Sequence, residues 1–174
     1  MIFLDGIGIG KNDPNSNPFF KYDFKIFSEF FESIPHLDNQ IFSKNNSFFF
    51  PVDANMDVDG LPQSGTGQTS IFAGINAQEI IGKHFGPFPY STLIPIIEEK
   101  NIFKEYLLRN KNPFFANAYP KIFFDYLKTG KRRLSVTSLS CLLSGVKLNN
   151  STDLRNSKAL SAEIDNHRWV EKLN

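Results

Sequence analysis

The apolar residues of this chain follow two spacings, which predict both helices and strands. Phenylalanine and isoleucine recur every three or four residues from 24 to 34 and stop at Pro35, which is typical of an amphipathic helix. Short apolar runs at residues 2–4, 48–53 and 113–117 predict strands instead, because a strand inside a parallel sheet is covered on both faces. Helical and strand patterns therefore alternate from the first residues onward.

Helical patterns dominate the second half of the chain. Helices are predicted at residues 70–81, 91–100, 101–110, 119–128 and 135–144. We expect Ser91 and Asn101 to cap two of these helices at their starts. Gly130 and Gly145 are expected to end the last two. The pattern then weakens, and residues 167–174 are typical of one more helix.

The alternation of strands and helices favours an α/β fold built on a layered sheet over an all-α or all-β arrangement. The 174 residues are 41% hydrophobic, which is enough for one globular domain with a core. Nineteen basic side chains nearly balance eighteen acidic ones, and a net charge of +1 gives no general attraction to nucleic acid or anionic lipid. We therefore expect any bound anion to be held locally.

Cysteine content and hydropathy bear on location. Cys141 is the single cysteine and cannot form an internal disulfide, and no apolar run approaches the roughly 20 residues that span a bilayer. The first residues lack the charged start and long apolar stretch of a secretion signal. These observations predict a soluble protein of the reducing cytoplasm, without a membrane or nucleic-acid partner. They leave its oligomeric state open.

Nineteen phenylalanines are an unusual content for this length. The clusters at residues 48–50 and 114–115 would suit an aromatic binding surface or buried positions in strands and helices. Because large aromatic side chains are mostly buried in folded proteins, we favour burial.

Asp5 is the first candidate for chemistry. It follows the apolar run at 2–4 and precedes glycines at positions 6, 8 and 10, so its carboxylate can stand at a strand end while the backbone turns away. Such a carboxylate can bind a hard or borderline cation, and it can equally cap its own turn. The glycine spacing differs from that of a dinucleotide-binding loop.

The segment QSGTGQTS at residues 63–70 is the second candidate. Small residues follow Ser64 just before a predicted helix, so backbone N–H groups and the positive helix end could hold a phosphate. The candidate phosphate-binding residues are Gly65, Thr66 and Gly67. A serine nucleophile needs a base or a metal, and the chain shows no evident Ser-His-Asp order, which favours metal activation. Thr66 and Thr69 are further hydroxyls, and a helix cap would use the same residues, so spacing alone does not decide the nucleophile.

Other polar groups are weaker candidates. Lys83 and His84 could contact a substrate phosphate or lie at a solvent-facing helix end. The basic run 131–133 is interpreted as solvent-exposed. Three further aspartates lack the spacing of an EF-hand and are interpreted as a polar surface turn. They are Asp53, Asp57 and Asp59.

An Asp-Gly after an apolar run, and later a serine three residues before a glycine at a helix start, resemble the alkaline phosphatase superfamily. The likeness is greatest to its branch of cofactor-independent phosphoglycerate mutases and phosphopentomutases. The strings GLPQSGTGQTSIFAGINA, GKHFGPFP, FFANAY and RRLSVTSLS are similar to small metalloenzyme-domain proteins of this superfamily. Gln68 is a departure, since the phosphoglycerate mutases have a histidine after the motif's glycine.

This resemblance implies a three-layer sandwich with a largely parallel central sheet and helices on both faces. It also implies that Asp5 and Ser64 share one ion of a two-metal site holding Mn²⁺ or Zn²⁺. Ser64 would be the nucleophile of metal-dependent phosphoryl transfer on a small phosphorylated substrate, through a phosphoserine intermediate. Transfer of the phosphoryl group to water would make the enzyme a phosphatase, and its transfer to another hydroxyl of the substrate would make it a phosphomutase.

The superfamily completes its two-metal site with aspartates and histidines from the C-terminal half of its fold. These residues cannot be placed here, because His36, His84 and His167 are scattered and the Asp-Asn-His at 165–167 stands in a different context. Residues 1–174 are therefore expected to be the N-terminal portion of a single domain, inactive by itself.

Two alternatives to phosphoryl transfer stay open. One is a catalytically dead protein that binds phosphate or a partner. The other is a relative of phosphodiesterases or sulfatases, although no arginine follows Ser64 at the spacing that formylglycine sulfatases require.

Overall fold

The computed structural model describes residues 1–22, 24–162 and 169. The chain divides into two compact units, Met1–Ala54 and Asn55–Asn174, and each is described separately. The predicted helix at 167–174 and the Asp-Asn-His at 165–167 lie outside the described residues, apart from the buried Trp169. No helix in the described ranges is long and apolar enough to cross a bilayer.

The first unit contains two short helices and a hairpin. They are α1 (Pro18–Lys21), α2 (Lys25–Phe31), β1 (Phe42–Lys44) and β2 (Ser47–Phe49). The two strands pair antiparallel, with Phe42 opposite Phe49. The helix predicted at 24–34 is confirmed in position, but it ends earlier than Pro35, at a left-handed Glu32 with φ 57°.

Phenylalanine rings join α2 to the hairpin. The ring centroids of Phe31 and Phe42 are 5.9 Å apart, and those of Phe27 and Phe49 are 5.8 Å apart. Edge-to-face and tilted ring contacts at these distances are favourable beyond the burial of apolar area. The apolar face of α2 therefore packs on one face of the hairpin, as its spacing predicts.

The buried strand predicted at residues 2–4 is wrong. Ile2 is 90% exposed, Leu4 is 67% exposed, and no strand in the described part of the chain pairs with this run. A strand needs neighbours to satisfy its backbone groups and cover its side chains, so an apolar run without them stays extended and exposed. The strand predicted at 48–53 forms only as the three-residue β2.

The second unit is mainly helical. Its helices are α3 (Ser64–Ala73), α4 (Ala77–Ile81), α5 (Ile94–Glu99), α6 (Ile102–Leu108), α7 (Lys121–Lys128), α8 (Val136–Leu143) and α9 (Ser151–Arg155), with a 3-10 turn at Ser91–Leu93. Helix α3 packs against α4, α5 and α8. Buried side chains form one core there, namely Phe72, Ile97, Phe103, Leu134, Val136, Leu139 and Cys141.

A small parallel sheet accompanies these helices. Its strands are β3 (Asn117–Tyr119), β4 (Asn149–Asn150) and β5 (Leu160–Ser161), and β3 lies in the middle of the order β4-β3-β5. The protein thus has a mixed α/β structure with parallel strand pairing. The strand predicted at 113–117 lies a few residues too early, because the strand centre is the buried Ala118.

The predicted helix boundaries hold where the chain supplies a local cap. Asn101 accepts hydrogen bonds from the N–H groups of Phe103 and Lys104 at the start of α6. Gly130 and Gly145 follow α7 and α8 with positive φ. Ser91 does not cap its helix, since it lies inside the 3-10 turn.

Burial of the two phenylalanine clusters is only partly observed. Phe48 and Phe50 are 63% and 60% exposed, and their rings stack on each other at 6.2 Å. Successive side chains alternate between the two faces of a strand. Phe48 and Phe50 therefore point away from the face on which Phe49 packs against α2. Phe114 is also exposed, whereas Phe115 packs against the core of the second unit.

Candidate functional site

The predicted small-residue segment at 63–70 is itself the start of a helix. Gln63 is extended at the N-cap position, and α3 begins at Ser64. Gly74, with φ 64°, ends α3, so the predicted helix at 70–81 is in fact two helices, α3 and α4. Ser64 therefore stands in the first turn, at the end of the helix where the dipole is positive.

Burial distinguishes the hydroxyl groups of α3. Thr66 and Thr69 are fully buried, and the Thr69 hydroxyl donates to the Gly65 carbonyl at 2.6 Å. Ser70 is buried as well and donates to the side-chain oxygen of Gln78 at 2.7 Å. Ser64 is only partly buried. Of the hydroxyls left open by spacing, Ser64 is thus the one that solvent reaches.

Helix α3 is joined at its start to residues 85–88. The Thr66 N–H donates to the Phe85 carbonyl at 2.9 Å, and the Phe85 N–H donates to the Thr66 hydroxyl at 3.2 Å. Gly65 approaches the same segment so closely that an added Cβ would lie 2.1 Å from the Phe88 carbonyl oxygen. A side chain has no room there, which explains the glycine.

These contacts change the expected roles of residues 65–67. The N–H of Thr66 is engaged by Phe85, and the N–H of Gly67 donates to the Gln63 carbonyl at 2.9 Å. Neither N–H group is open to a phosphate, and Thr66 serves the packing of the helix start. Anion binding at this end of α3 would therefore depend on the helix dipole and on nearby side chains.

Lys83 and His84 line an open cleft of about 460 Å³. Asp59, Gln63 and Gly86 line it too, and a Cβ on Gly86 would lie 3.2 Å from the Ser64 nitrogen. The cleft therefore opens beside the start of α3.

One ring nitrogen of His84 is engaged by the backbone. Its Nε2 lies 2.9 Å from the Val58 carbonyl, which can only accept, so Nε2 carries a proton. Its Nδ1 is buried and has no hydrogen-bond partner among the described residues. With one nitrogen engaged and the other buried, His84 is a poorer candidate than Lys83 for the phosphate contact.

Residues 131–133 are exposed, as the sequence predicts, and Arg133 also contacts an aromatic ring. Its guanidinium lies 4.8 Å from the ring centre of Phe88, and its backbone N–H donates to the Tyr126 hydroxyl at 3.1 Å. No spacing along the chain indicates a contact between positions 88 and 133.

The hydroxyls at the start of α8 form a second polar cluster. Ser138 lies 2.8 Å from the Tyr119 hydroxyl and 2.9 Å from the Ser135 hydroxyl. Burial raises the pKa of Tyr119 above its usual value, and burial raises the pKa of the Cys141 thiol to about 12. Neither the Tyr119 hydroxyl nor the Cys141 thiol is an acid or a nucleophile near neutral pH, and both side chains support the core.

Asp5 and Ser64 belong to different units, and their sharing of a metal ion stays a prediction. Asp5 lies in a turn before Gly6, whose φ is 73°. Two oxygen donors do not complete a Zn²⁺ or Mn²⁺ site, and no group of three His, Cys, Asp or Glu suited to a metal occurs within the described ranges. The described residues therefore do not supply the donor set of a two-metal centre.

Comparison with protein-family models, with curated proteins and with solved structures gives no match for this chain.

Proposed function

We propose that this protein transfers the phosphoryl group of a small phosphorylated molecule, with Ser64 as the nucleophile. The observation that carries the proposal is the position of Ser64, a partly exposed residue in the first turn of α3. The other hydroxyl-bearing residues of the segment are buried, namely Thr66, Thr69 and Ser70. The resemblance to the alkaline phosphatase superfamily supports the same residue. It also supports a three-layer α/β sandwich. Action in the reducing cytoplasm is supported by the single cysteine.

The chemistry would proceed in two displacements. The Ser64 oxygen attacks phosphorus and forms an O–P bond while the P–O bond to the leaving group breaks, and the proton from Ser64 is transferred, directly or through solvent, to the departing oxygen. Water or a substrate hydroxyl then attacks the phosphoserine and restores Ser64. Attack by water corresponds to a phosphatase, and attack by a substrate hydroxyl corresponds to a mutase. The positive end of α3 and Lys83 would offset negative charge on the phosphoryl oxygens.

A divalent metal is implied by the resemblance, with Asp5 and Ser64 as its expected ligands. Asp5→Asn tests this role, and we expect it to lower the metal dependence of turnover.

Labelling of the serine tests the proposal. The full chain is incubated with p-nitrophenyl phosphate and Mn²⁺ or Zn²⁺, and both nitrophenol release and phosphate on the Ser64 peptide are measured. We expect Ser64→Ala to abolish labelling and to lower turnover by about a hundredfold or more. Ser91→Ala, an exposed serine in the 3-10 turn, is the matched control and should retain both. Undiminished turnover or undiminished labelling in Ser64→Ala contradicts the assignment of Ser64, whereas no turnover by the unaltered chain is the outcome expected if residues 1–174 are inactive by themselves.

A phosphate-binding protein without catalysis is the second candidate. It is favoured by the lack, within the described ranges, of a side-chain group suited to a metal. This candidate predicts saturable phosphate binding together with an unlabelled Ser64.

A further inference from the structure

The hairpin of the first unit has one covered face and one exposed face. Its covered face packs against α2 through phenylalanine rings. Phe48 and Phe50 are 63% and 60% exposed, Ile41 is 62% exposed, and Ser43, which lies opposite Phe48 in the strand register, is exposed as well. Because successive side chains point to opposite faces of a strand, these four residues share the face that points away from α2. We call this surface of Ile41, Ser43, Phe48 and Phe50 the outer face.

The outer face presents a sizeable apolar area. The Phe48 and Phe50 rings lie side by side in nearly parallel planes, 12° apart. An aromatic side chain buries 150–250 Å² when it is covered, so three large apolar side chains that are each about 60% exposed present about 350 Å². Val52, two residues beyond Phe50, is 85% exposed. Contiguous apolar patches of a few hundred Å² mark interaction sites in soluble proteins.

Charge indicates which kind of partner suits this face. Its four side chains are uncharged, whereas residues 1–54 contain four lysines and seven acidic side chains, a net charge of −3. A unit with this charge is not attracted to nucleic acid or to an anionic lipid surface. A charged partner surface would lose hydration without meeting a counter-charge. A second copy meets the requirement, since a two-fold contact places uncharged side chains against the same uncharged side chains.

The strand edges of the hairpin are less suited to a partner than its outer face. Strands β1 and β2 contain three residues each, and edge strands this short limit pairing with another chain. Association is therefore expected through side chains, with one hairpin packed face to face on another.

We propose that the outer face binds the outer face of a second copy, so that the chain forms a symmetric dimer. Two faces of about 350 Å² bury about 700 Å², and flanking residues such as Val52 bring the total towards the roughly 1,000 Å² that a specific interface needs. An area at this limit gives a weak, reversible dimer with Kd on the order of 10–100 µM. The dimer is independent of phosphoryl transfer.

Sedimentation equilibrium of the full chain at about 5–300 µM tests the dimer. We expect the average mass to rise with concentration from the 19.8 kDa of one chain towards twice that value. Raising the salt concentration should leave the association unchanged or strengthen it, because salt screens the repulsion between two units of like charge. An association that salt weakens would be driven by charge and would overturn the proposal.

Two variants of the outer face locate the contact. Phe48→Thr combined with Phe50→Thr keeps strand-favouring residues and should weaken the dimer at least about tenfold. Ser43→Lys keeps every apolar group and should weaken it as much, because each copy would bury an unpaired charge. Phe114→Thr, which removes a 66% exposed phenylalanine of the second unit, is the matched control. It should stay within about twofold of the unaltered chain.

Circular dichroism checks that each variant keeps its fold. The proposal is overturned by a monomer at every concentration, by unaltered association in either folded outer-face variant, or by equal weakening in the Phe114 control. Growth beyond a dimer would indicate unspecific aggregation and also overturns it. Vesicles of phosphatidylcholine test the other occupant. A monomer that co-sediments with them, and loses this binding in the double phenylalanine variant, would assign the outer face to a lipid surface.

Discussion

Gly65 is the residue at which the candidate site depends most directly on backbone packing. A Cβ there would lie 2.1 Å from the Phe88 carbonyl oxygen, a contact that side chains do not make. We expect Gly65→Ala to lower the free energy of unfolding by about 3 kcal/mol, because the backbone of residues 85–88 must shift. Urea unfolding followed by circular dichroism measures the change.

Gly67→Ala is the matched control for this prediction. Apart from the adjoining backbone of α3, no atom of the described residues lies within 4 Å of a Cβ at Gly67, and alanine favours a helix over glycine by up to about 1 kcal/mol. Its stability should therefore equal or exceed that of the unaltered protein. Equal destabilisation by the two substitutions would show that the close contact at Gly65 is absent.

Thr66 is predicted to stabilise the helix start through its hydroxyl. Thr66→Val removes the acceptor of the Phe85 N–H and should cost about 1–2 kcal/mol of unfolding free energy. Thr152→Val, on the exposed side of α9, is a control expected to stay within about 0.5 kcal/mol. Thermal unfolding distinguishes them, and a neutral Thr66→Val would contradict the structural role assigned to this hydroxyl.

The sequence predicted Ser64 at a helix start, because the run of small residues before an apolar pattern is a local feature. It could not separate Ser64 from Thr66 or Thr69, since burial depends on what packs against each face of the helix. Phe85 contacts Thr66, and Arg133 contacts Phe88. Each pair is remote along the chain, and no local pattern indicates either contact. These contacts therefore became visible only in the folded second unit.

At the scale of single elements, α6 depends on its N-cap. Asn101 is almost fully buried, accepts from two N–H groups and from the Ser144 hydroxyl, and donates to the Ile97 carbonyl. Asn101→Ala should lower the unfolding free energy by about 2–3 kcal/mol, because several buried partners lose their bonds. Thermal unfolding measures this loss.

Asn150 provides the comparison, because it caps α9 at an exposed position in a reciprocal capping box with Asp153. Asn150→Ala should cost only about 1 kcal/mol, since water replaces the lost bonds. Equal decreases in unfolding free energy for Asn101→Ala and Asn150→Ala would show that burial does not determine the effect of removing a cap.

Helices were predicted better than strands for a physical reason. The period of α2 and the caps of α6 and α8 are encoded within a few residues. Strands need pairing partners elsewhere in the chain. The apolar run at 2–4 has no such partner among the described strands, so it does not form a strand. The three parallel strands contain only two or three residues each, too few to show a period.

At the scale of the whole molecule, the free energy of unfolding is expected to decrease at alkaline pH. Burial raises the pKa of the Cys141 thiol from 9.0 to about 12, and burial also raises the pKa of Tyr119. The unfolded chain releases these protons first, so the stabilisation is complete below about pH 9 and is lost as pH rises towards 12. Urea titrations between pH 8 and 11 should show this decline. Cys141→Ala should flatten it, and an unchanged slope in that variant would contradict burial of the thiol.

The double hydrogen bond between Thr66 and Phe85 has a consequence for motion. These residues are 19 positions apart, yet each supplies an N–H whose bond ends on the other. Exchange of either amide with deuterated solvent requires the same separation of two backbone segments, so both should exchange at one common, slow rate. Any event that loosens one segment would therefore separate the start of α3 from residues 85–88 as a unit.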